Sequence, residues 1–191
     1  TGAAQLVWSV FLGGNGGEIA FDVEAVDARG WVVVGGLTGS TDFPTTSGAF
    51  DTTNGGKGDV FVLRLSGTGS TVNFSTFIGG SDYDEGTGLA VDASGAMTVT
   101  GWTRSTDFPT TTGAYQTTNR GGGDFFLTRF NTAGTTLVYS TYLGGTKYDE
   151  PHDVVLDASD APIVVGLTQS TDFPTSTGAW DKTYGGGGGD G

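Results

Sequence analysis

The chain has 191 residues, a formal net charge of −13, 36 glycines, no cysteine and only 8 Lys plus Arg. This excludes phosphate-backbone recognition and docking on an anionic membrane surface, both of which need clustered Lys and Arg. It also excludes disulfides and thiolate metal sites. Nearly one residue in five is Gly, which disfavours long helices, while 12 Phe, 6 Tyr and 4 Trp supply apolar faces that a disordered linker lacks.

No run of about 18 apolar residues marks a transmembrane helix, so no membrane insertion is expected. Thr1 is not a natural start and reads as a processed or trimmed end. The first apolar run, Leu6 to Leu12, predicts a strand and is followed by Gly13-Gly14. A second run ends at Asp27. After the next run comes Ser40-Thr41-Asp42-Phe43-Pro44-Thr45-Thr46, and then Phe50 behind a Gly-Ala pair.

These features return downstream. The Ser-Thr-Asp-Phe-Pro segment recurs at Ser105 and at Ser170, so that Asp42, Asp107 and Asp172 lie 65 residues apart (107−42 and 172−107). Asp27, Asp92 and Asp157 keep that step, as do Phe50, Tyr115 and Trp180. Gly79-Gly80 lies 66 residues after Gly13-Gly14, which places a one-residue insertion between Gly14 and Asp27. The chain therefore divides into units of approximately 6–70, 71–135 and 136–191 within a single domain, 1–191.

The second unit shows the internal plan. Thr87 to Asp92 and Met97 to Trp102 flank the turn Ala93-Ser94-Gly95 and read as a hairpin. A connector of about twenty residues follows. Asp124 to Phe130 and Leu137 to Leu143 then flank Asn131-Thr132-Ala133-Gly134 and form a second hairpin. Strands A, B, C and D with glycine turns predict an all-β fold, a β-propeller of four-stranded antiparallel blades. A solenoid of parallel strands is the structural rival, but its repeats are shorter and lack internal hairpins.

Several stretches resemble the seven-bladed β-propeller repeat family (SBBP) of large bacterial surface and secreted proteins. They are Leu137-Val138-Tyr139-Ser140-Thr141-Tyr142-Leu143-Gly144-Gly145, Leu89-Ala90-Val91-Asp92-Ala93-Ser94-Gly95, the three Ser-Thr-Asp-Phe-Pro copies and Gly122-Gly123-Asp124-Phe125-Phe126. The hairpin around Asp92 also resembles NHL-type propeller repeats. The resemblance implies that strand A is innermost and strand D outermost, and it implies an extracellular setting. It carries no common enzymatic activity. On that phase the chain opens with a D strand, continues through two ABCD sets, and adds A (Asp153 to Asp157) and B (Ile163 to Thr168). It stops near Asp190, where a third C strand is expected. About three blades, the last incomplete, leave an open edge. The chain reads either as a fragment of a larger propeller or as a subunit that closes by self-assembly.

The candidate sites are few. Asp42, Asp107 and Asp172 with Pro44, Pro109 and Pro174 read as structural turns, the carboxylate holding backbone N–H groups and Pro fixing φ, with Phe filling space between blades. Asp82, Asp84 and Glu85 form an acidic loop. It reads as solvated, and it is also the best place for Ca²⁺, although Lys147 replaces Asp82 in the third unit. No other cofactor is expected. Phe50, Tyr115 and Trp180 read as inter-blade packing or as sugar-stacking aromatics. His152, the one histidine, reads as an exposed loop residue. The runs Gly121 to Gly123 and Gly185 to Gly189 lack the Lys-Ser/Thr of a phosphate loop and read as places of close approach to a neighbouring blade. Paired carboxylates that recur in every unit argue against a catalytic acid pair. The expected function is non-enzymatic: an extracellular scaffold or protein-interaction module. The alternatives are a lectin-like, glycan-binding propeller, an accessory domain of a larger secreted enzyme, or a filament or surface-layer subunit.

Overall fold

The computed structural model describes residues 6–25, 30–187 and 189. Among them every helix or strand element is a strand. The strands are β1 (Glu18–Ala25), β2 (Val32–Thr38), β3 (Asp59–Leu65), β4 (Val72–Ile78), β5 (Asp84–Val91), β6 (Met97–Thr103), β7 (Asp124–Phe130), β8 (Leu137–Leu143), β9 (Asp149–Leu156) and β10 (Pro162–Thr168). They form three antiparallel sheets in chain order, β1–β2–β3–β4, β5–β6–β7–β8 and β9–β10. The all-β, antiparallel expectation is met. Cuts at residues 70 and 135 fall just before β4 and β8, so the sheets run from β1 to β4 and from β5 to β8.

The first strand of each sheet starts earlier than its apolar pattern suggests. β5 begins at Asp84, three residues before Thr87, because a bulge between Gly86 and Gly88 lets the chain keep pairing with β6. Equivalent bulges interrupt β1 and β9. His152 is accordingly an exposed strand residue and not a loop residue. β2, β3 and β4 recur 65 residues later, whereas β1 recurs as β5 after 66. Ala25 pairs with Val32, and Val91 with Met97. The extra residue of the first unit therefore lies between Ala25 and Val32, a stretch that includes Asp27, outside the described residues. Asp190 is also outside them.

Leu6 to Leu12 is not a strand. An outer strand needs a third strand to pair with, and among the described residues none lies beside it. Instead Trp8 and Leu12 pack against one face of the first sheet, with Phe43, Phe61, Leu63, Leu65 and Phe77. The opposite face of that sheet joins the second sheet in the main core, where Val33, Val60 and Val62 meet Leu89, Met97, Val99, Phe126, Phe130 and Tyr142. Strict alternation along β3 and β7 produces these two faces. β1, β5 and β9 lie side by side, so the sheets stack in sequence.

The connectors close the outer edges. Thr46 N–H donates to Ser75 O (3.0 Å) and Phe77 N–H to Asp51 O (3.1 Å), which lays residues 46–51 along β4. Thr111 and Gln116 repeat this along β8. Unpaired edge groups are satisfied without another strand.

Candidate functional site

The repeated segments form two hydrogen-bond clusters, one at each end of the sheets. At one end the loop after β4 or β8 enters the next sheet. Asp107 Oδ1 accepts from Ser81 N (2.8 Å) and Ser81 Oγ (3.0 Å), and Ser105 Oγ accepts from Asp82 N (2.9 Å). Asp172 holds Thr146 in the same way (2.9 and 3.0 Å), with Ser170 Oγ accepting from Lys147 N (2.9 Å), and Asp42 Oδ1 accepts from Asn15 N (2.8 Å). These bonds, led by the Ser81 amide, hold the Asp107 carboxyl below its ordinary range. Pro44 and Pro109 present their carbonyls to Ser75 Oγ (2.7 Å) and Ser140 Oγ (2.6 Å), while Pro174 is half-buried. Each Ser-Thr-Asp-Phe-Pro segment thus clasps a neighbouring loop. Asp107→Ala is expected to cost about 1–2 kcal/mol, because the Ser81 amide loses its acceptor. Denaturant unfolding checks this, and Asp107→Asn should recover most of the loss.

The glycine pair in that loop is dictated by the clasp. A Cβ on Gly79 would lie 2.5 Å from Asp59, and one on Gly80 2.5 Å from Asp107 Oδ1 and 2.6 Å from Ser105 Cβ.

Asp84 is not part of a solvated loop. It opens β5, is fully buried, and accepts from Gly80 N (2.7 Å), Ser105 Oγ (2.8 Å) and Thr103 Oγ1. Burial raises its pKa even so, against the opposing effect of those donors. Asp149 repeats the arrangement with Gly145, Ser170 and Thr168, and Glu18 replaces it in the first unit, accepting from Thr38 and Ser40. Asp82 faces outward and pairs with Lys57 (2.9 Å), whose hydrogen bond lowers its pKa. Glu85 accepts from the Tyr83 hydroxyl (3.1 Å). The three acids singled out as Ca²⁺ ligands therefore point to separate partners. Among the described residues no group of three such ligands is assembled.

Two buried carboxylates escaped notice as such in the sequence. Asp59 and Asp124 open β3 and β7, are 1% and 0% exposed, and each leaves Oδ1 without a hydrogen-bond partner. Burial pushes Asp59 up to about 7 and Asp124 to about 6. Gln116 Nε2 donates to Asp124 (2.6 Å), whereas the equivalent position beside Asp59 holds Asp51, whose charge raises it further. Their recurrence at a 65-residue step was the available signal.

At the opposite end, Asp92 Oδ1 accepts from Ser94 N (2.7 Å), Ser94 Oγ (2.6 Å) and Ala96 N (3.0 Å), and its other oxygen pairs with Arg129. Asp157 repeats the turn with Ser159 and Ala161. Gly95 takes φ +89° there; Asp160 holds its place in the third unit at φ +60°. Arg64 reaches from β3 to Gly95 O and Thr132 O (both 2.9 Å), and Arg129 reaches Asp160 O (3.3 Å). These arginines clamp each sheet to the next, a role that spacing alone does not reveal.

The aromatic trio divides. Phe50 packs into the core edge-on to Phe130 of the next sheet, with ring centroids 5.9 Å apart. Tyr115 is 71% exposed because the third sheet, among the described residues, has no counterpart of β7 to cover it, and Trp180 is fully exposed because no described sheet follows the third. Phe50→Ala is expected to cost roughly 2–4 kcal/mol and Tyr115→Ala less than about 1 kcal/mol. Equal losses in thermal melts would contradict this assignment. Phe108 fills the space between the first two sheets, stacked on Phe126 at 4.6 Å, and Phe173 lies 5.5 Å from Phe125. The first glycine run sits at a close approach, where a Cβ on Gly121 would lie 2.5 Å from Lys147 O, whereas Gly186 and Gly187 of the second run have nothing within 4 Å of that position.

An aromatic ladder adds to the first end. Tyr83, Trp102 and Tyr148 follow one another at 5.4 Å, Arg104 lies over Trp102, and Glu85 and Glu150 accept from the two tyrosines. Comparison with known proteins adds no assignment, since no family model and no curated protein matches the chain.

Proposed function

We propose that the stacked sheets are successive blades of a β-propeller of the seven-bladed repeat type, acting as a non-enzymatic extracellular scaffold or protein-interaction module. The observation that carries this reading is the contrast between the middle sheet and the outer two. Leu89 and Thr98 are buried in the middle sheet. Their counterparts Val23 in the first and Ile163 in the third are 61% and 53% exposed. Each sheet is built to be covered on both faces, which a ring of sheets achieves. The recurring carboxylates are engaged in holding loops, which suits a scaffold. The extracellular setting rests on the family resemblance.

Electron microscopy of the full-length protein tests the architecture, with a ring of radial sheets expected and a linear stack contradicting it. A panel of glycoside, ester and polysaccharide-lyase substrates tests the role. No turnover is expected, and turnover abolished by a carboxylate substitution would overturn it.

A second reading, glycan binding, is favoured by one observation: the Trp180 indole and the Tyr115 ring stand in solvent. Aromatic faces of this kind stack on sugars. Glycan-array binding lost in Trp180→Ala would select this reading over the first.

A further inference from the structure

The sequence contains two Asn-Gly pairs, Asn15-Gly16 and Asn54-Gly55. A glycine after asparagine has no Cβ to shield its backbone nitrogen, so that nitrogen can reach the carbonyl carbon of the preceding side chain. The reaction is intramolecular. The nitrogen gives up its proton and attacks Cγ, a C–N bond forms, the Cγ–Nδ2 bond breaks and the side-chain nitrogen leaves as ammonia. Water then opens the resulting succinimide at either carbonyl, giving aspartate or isoaspartate. Water is the one co-reactant.

The fold treats the two pairs differently. The Asn54 amide is fastened through both its atoms: Nδ2 donates to Thr38 O (3.1 Å) and Ser40 O (3.3 Å), and Oδ1 accepts from Gly56 N (3.2 Å). Its nucleophile is engaged as well, because Gly55 N donates to Oδ2 of the buried Asp59 (2.9 Å). A carboxylate facing an N–H opposes the loss of that proton. Asn15, in contrast, is exposed, and its side chain makes no hydrogen bond among the described residues. The later units carry Ser81 and Thr146 at this place, whose hydroxyls donate to Asp107 and Asp172. Asn15 keeps only the backbone half of that contact, its N–H donating to Asp42 Oδ1 (2.8 Å). The remaining restraint on the nucleophile is a neutral one. Gly16 N donates to Ser40 Oγ (2.7 Å), whose hydroxyl is turned toward Glu18.

We propose that Asn15-Gly16 is a site of spontaneous modification, converted through a succinimide to isoaspartate, while the fold protects Asn54-Gly55. The product unfastens the first clasp. Isoaspartate routes the main chain through the former Cγ and so adds one backbone atom ahead of Gly16. That stretch has no room for it: a Cβ on Gly16 would lie 2.8 Å from both Gly39 C and Ser40 N, and one on Gly14 2.3 Å from Asp42 Oδ1. The released carboxylate also stands beside Asp42 and repels it. Residues 13–17 join the segment that carries Trp8 and Leu12 to β1, so conversion loosens the hold of that segment on the first sheet.

The test incubates the 191-residue chain in mildly alkaline buffer and maps its peptides by mass spectrometry that separates isoaspartate from aspartate. Isoaspartate is expected to accumulate at position 15 and not at 54, whereas in denaturant both pairs should convert at similar rates. Comparison of the folded and denatured chains decides the site without any variant. Asn15→Ser should remove the product and leave Asn54 intact. Ser40→Ala should speed conversion at 15 roughly fivefold, the weight of one ordinary hydrogen bond. In the converted chain, hydrogen-exchange protection should be lost at residues 15–17 and 39–40 and kept in β5–β8. Equal conversion at 15 and 54 in the folded chain, or none at 15 where the denatured chain reacts, would overturn the site. Slower conversion in Ser40→Ala would overturn the restraint and make Ser40 and Glu18 a path for the departing proton. Unchanged protection at residues 15–17 would overturn the unfastening.

Discussion

Thermal unfolding followed across pH is expected to show stability falling as the pH rises from about 4 to about 7. Asp59 and Asp124 are responsible. Their folded pKa values, about 7 and about 6, lie above the ordinary 3.8, so the folded chain binds more protons than the unfolded chain between those limits. Their favourable contribution is fully present below the unfolded value and is lost as the pH passes the folded one. The physical cause is a buried carboxyl with one oxygen unpartnered, which ionises only at the expense of solvation it no longer has. The combined effect is on the order of several kcal/mol. The turn aspartates act in the opposite sense. Asp107 and Asp172 are held low by the amides they accept from, so their contribution exists above the ordinary pKa and disappears as the pH falls through the folded one. The maximum is therefore expected at about pH 4–5, below the range usual for globular proteins. Asp59→Asn should raise the melting temperature at about pH 8 and leave it nearly unchanged at about pH 4. Asp51→Gln should bring Asp59 toward the behaviour of Asp124, because Gln116 donates to Asp124 from the equivalent position. A flat pH profile, or an unchanged slope in Asp59→Asn, would contradict the assignment.

Phe126→Ala is expected to destabilise the chain by about 3–5 kcal/mol, the range for removing a fully buried aromatic ring. Phe126 has no exposed surface, stacks on Phe108, and belongs to the core shared by the first two sheets. Its loss leaves a cavity in the apolar core through which these sheets hold each other, so the unfolding transition should also broaden as they decouple. Denaturant titration followed by tyrosine and tryptophan emission measures both effects. A loss below about 1 kcal/mol would mean that these two sheets are held chiefly by the Arg64 clamp at Gly95 and Thr132. Arg64→Met would then be the more damaging substitution.

How far the molecule was legible in advance depended on whether a feature is local. A 65-residue step, short apolar runs such as Asp124–Phe130, and glycine turns were enough to predict antiparallel strands within a few residues. The turn role of Asp107 was also readable, because Asp before Phe-Pro has few other local uses. Asp84 was misjudged as solvated, since nothing in Asp-Tyr-Asp-Glu shows that a bulge carries the strand back to that residue and under the clasp of Ser105. Leu6 to Leu12 was misjudged for the complementary reason. Its pattern suits an outer strand, but a strand exists only where another offers its hydrogen bonds.

The amino-acid sequence by itself determined the period, the strand type and the turn chemistry, all set by residues close together along the chain. Only the tertiary structure decided which copies of a repeated residue are covered. Phe50 and Tyr115 occupy the same place in successive units, as do Thr98 and Ile163, yet one of each pair is packed and the other stands in solvent. Burial is a property of the neighbouring sheet, and a repeat unit does not encode whether that neighbour is present.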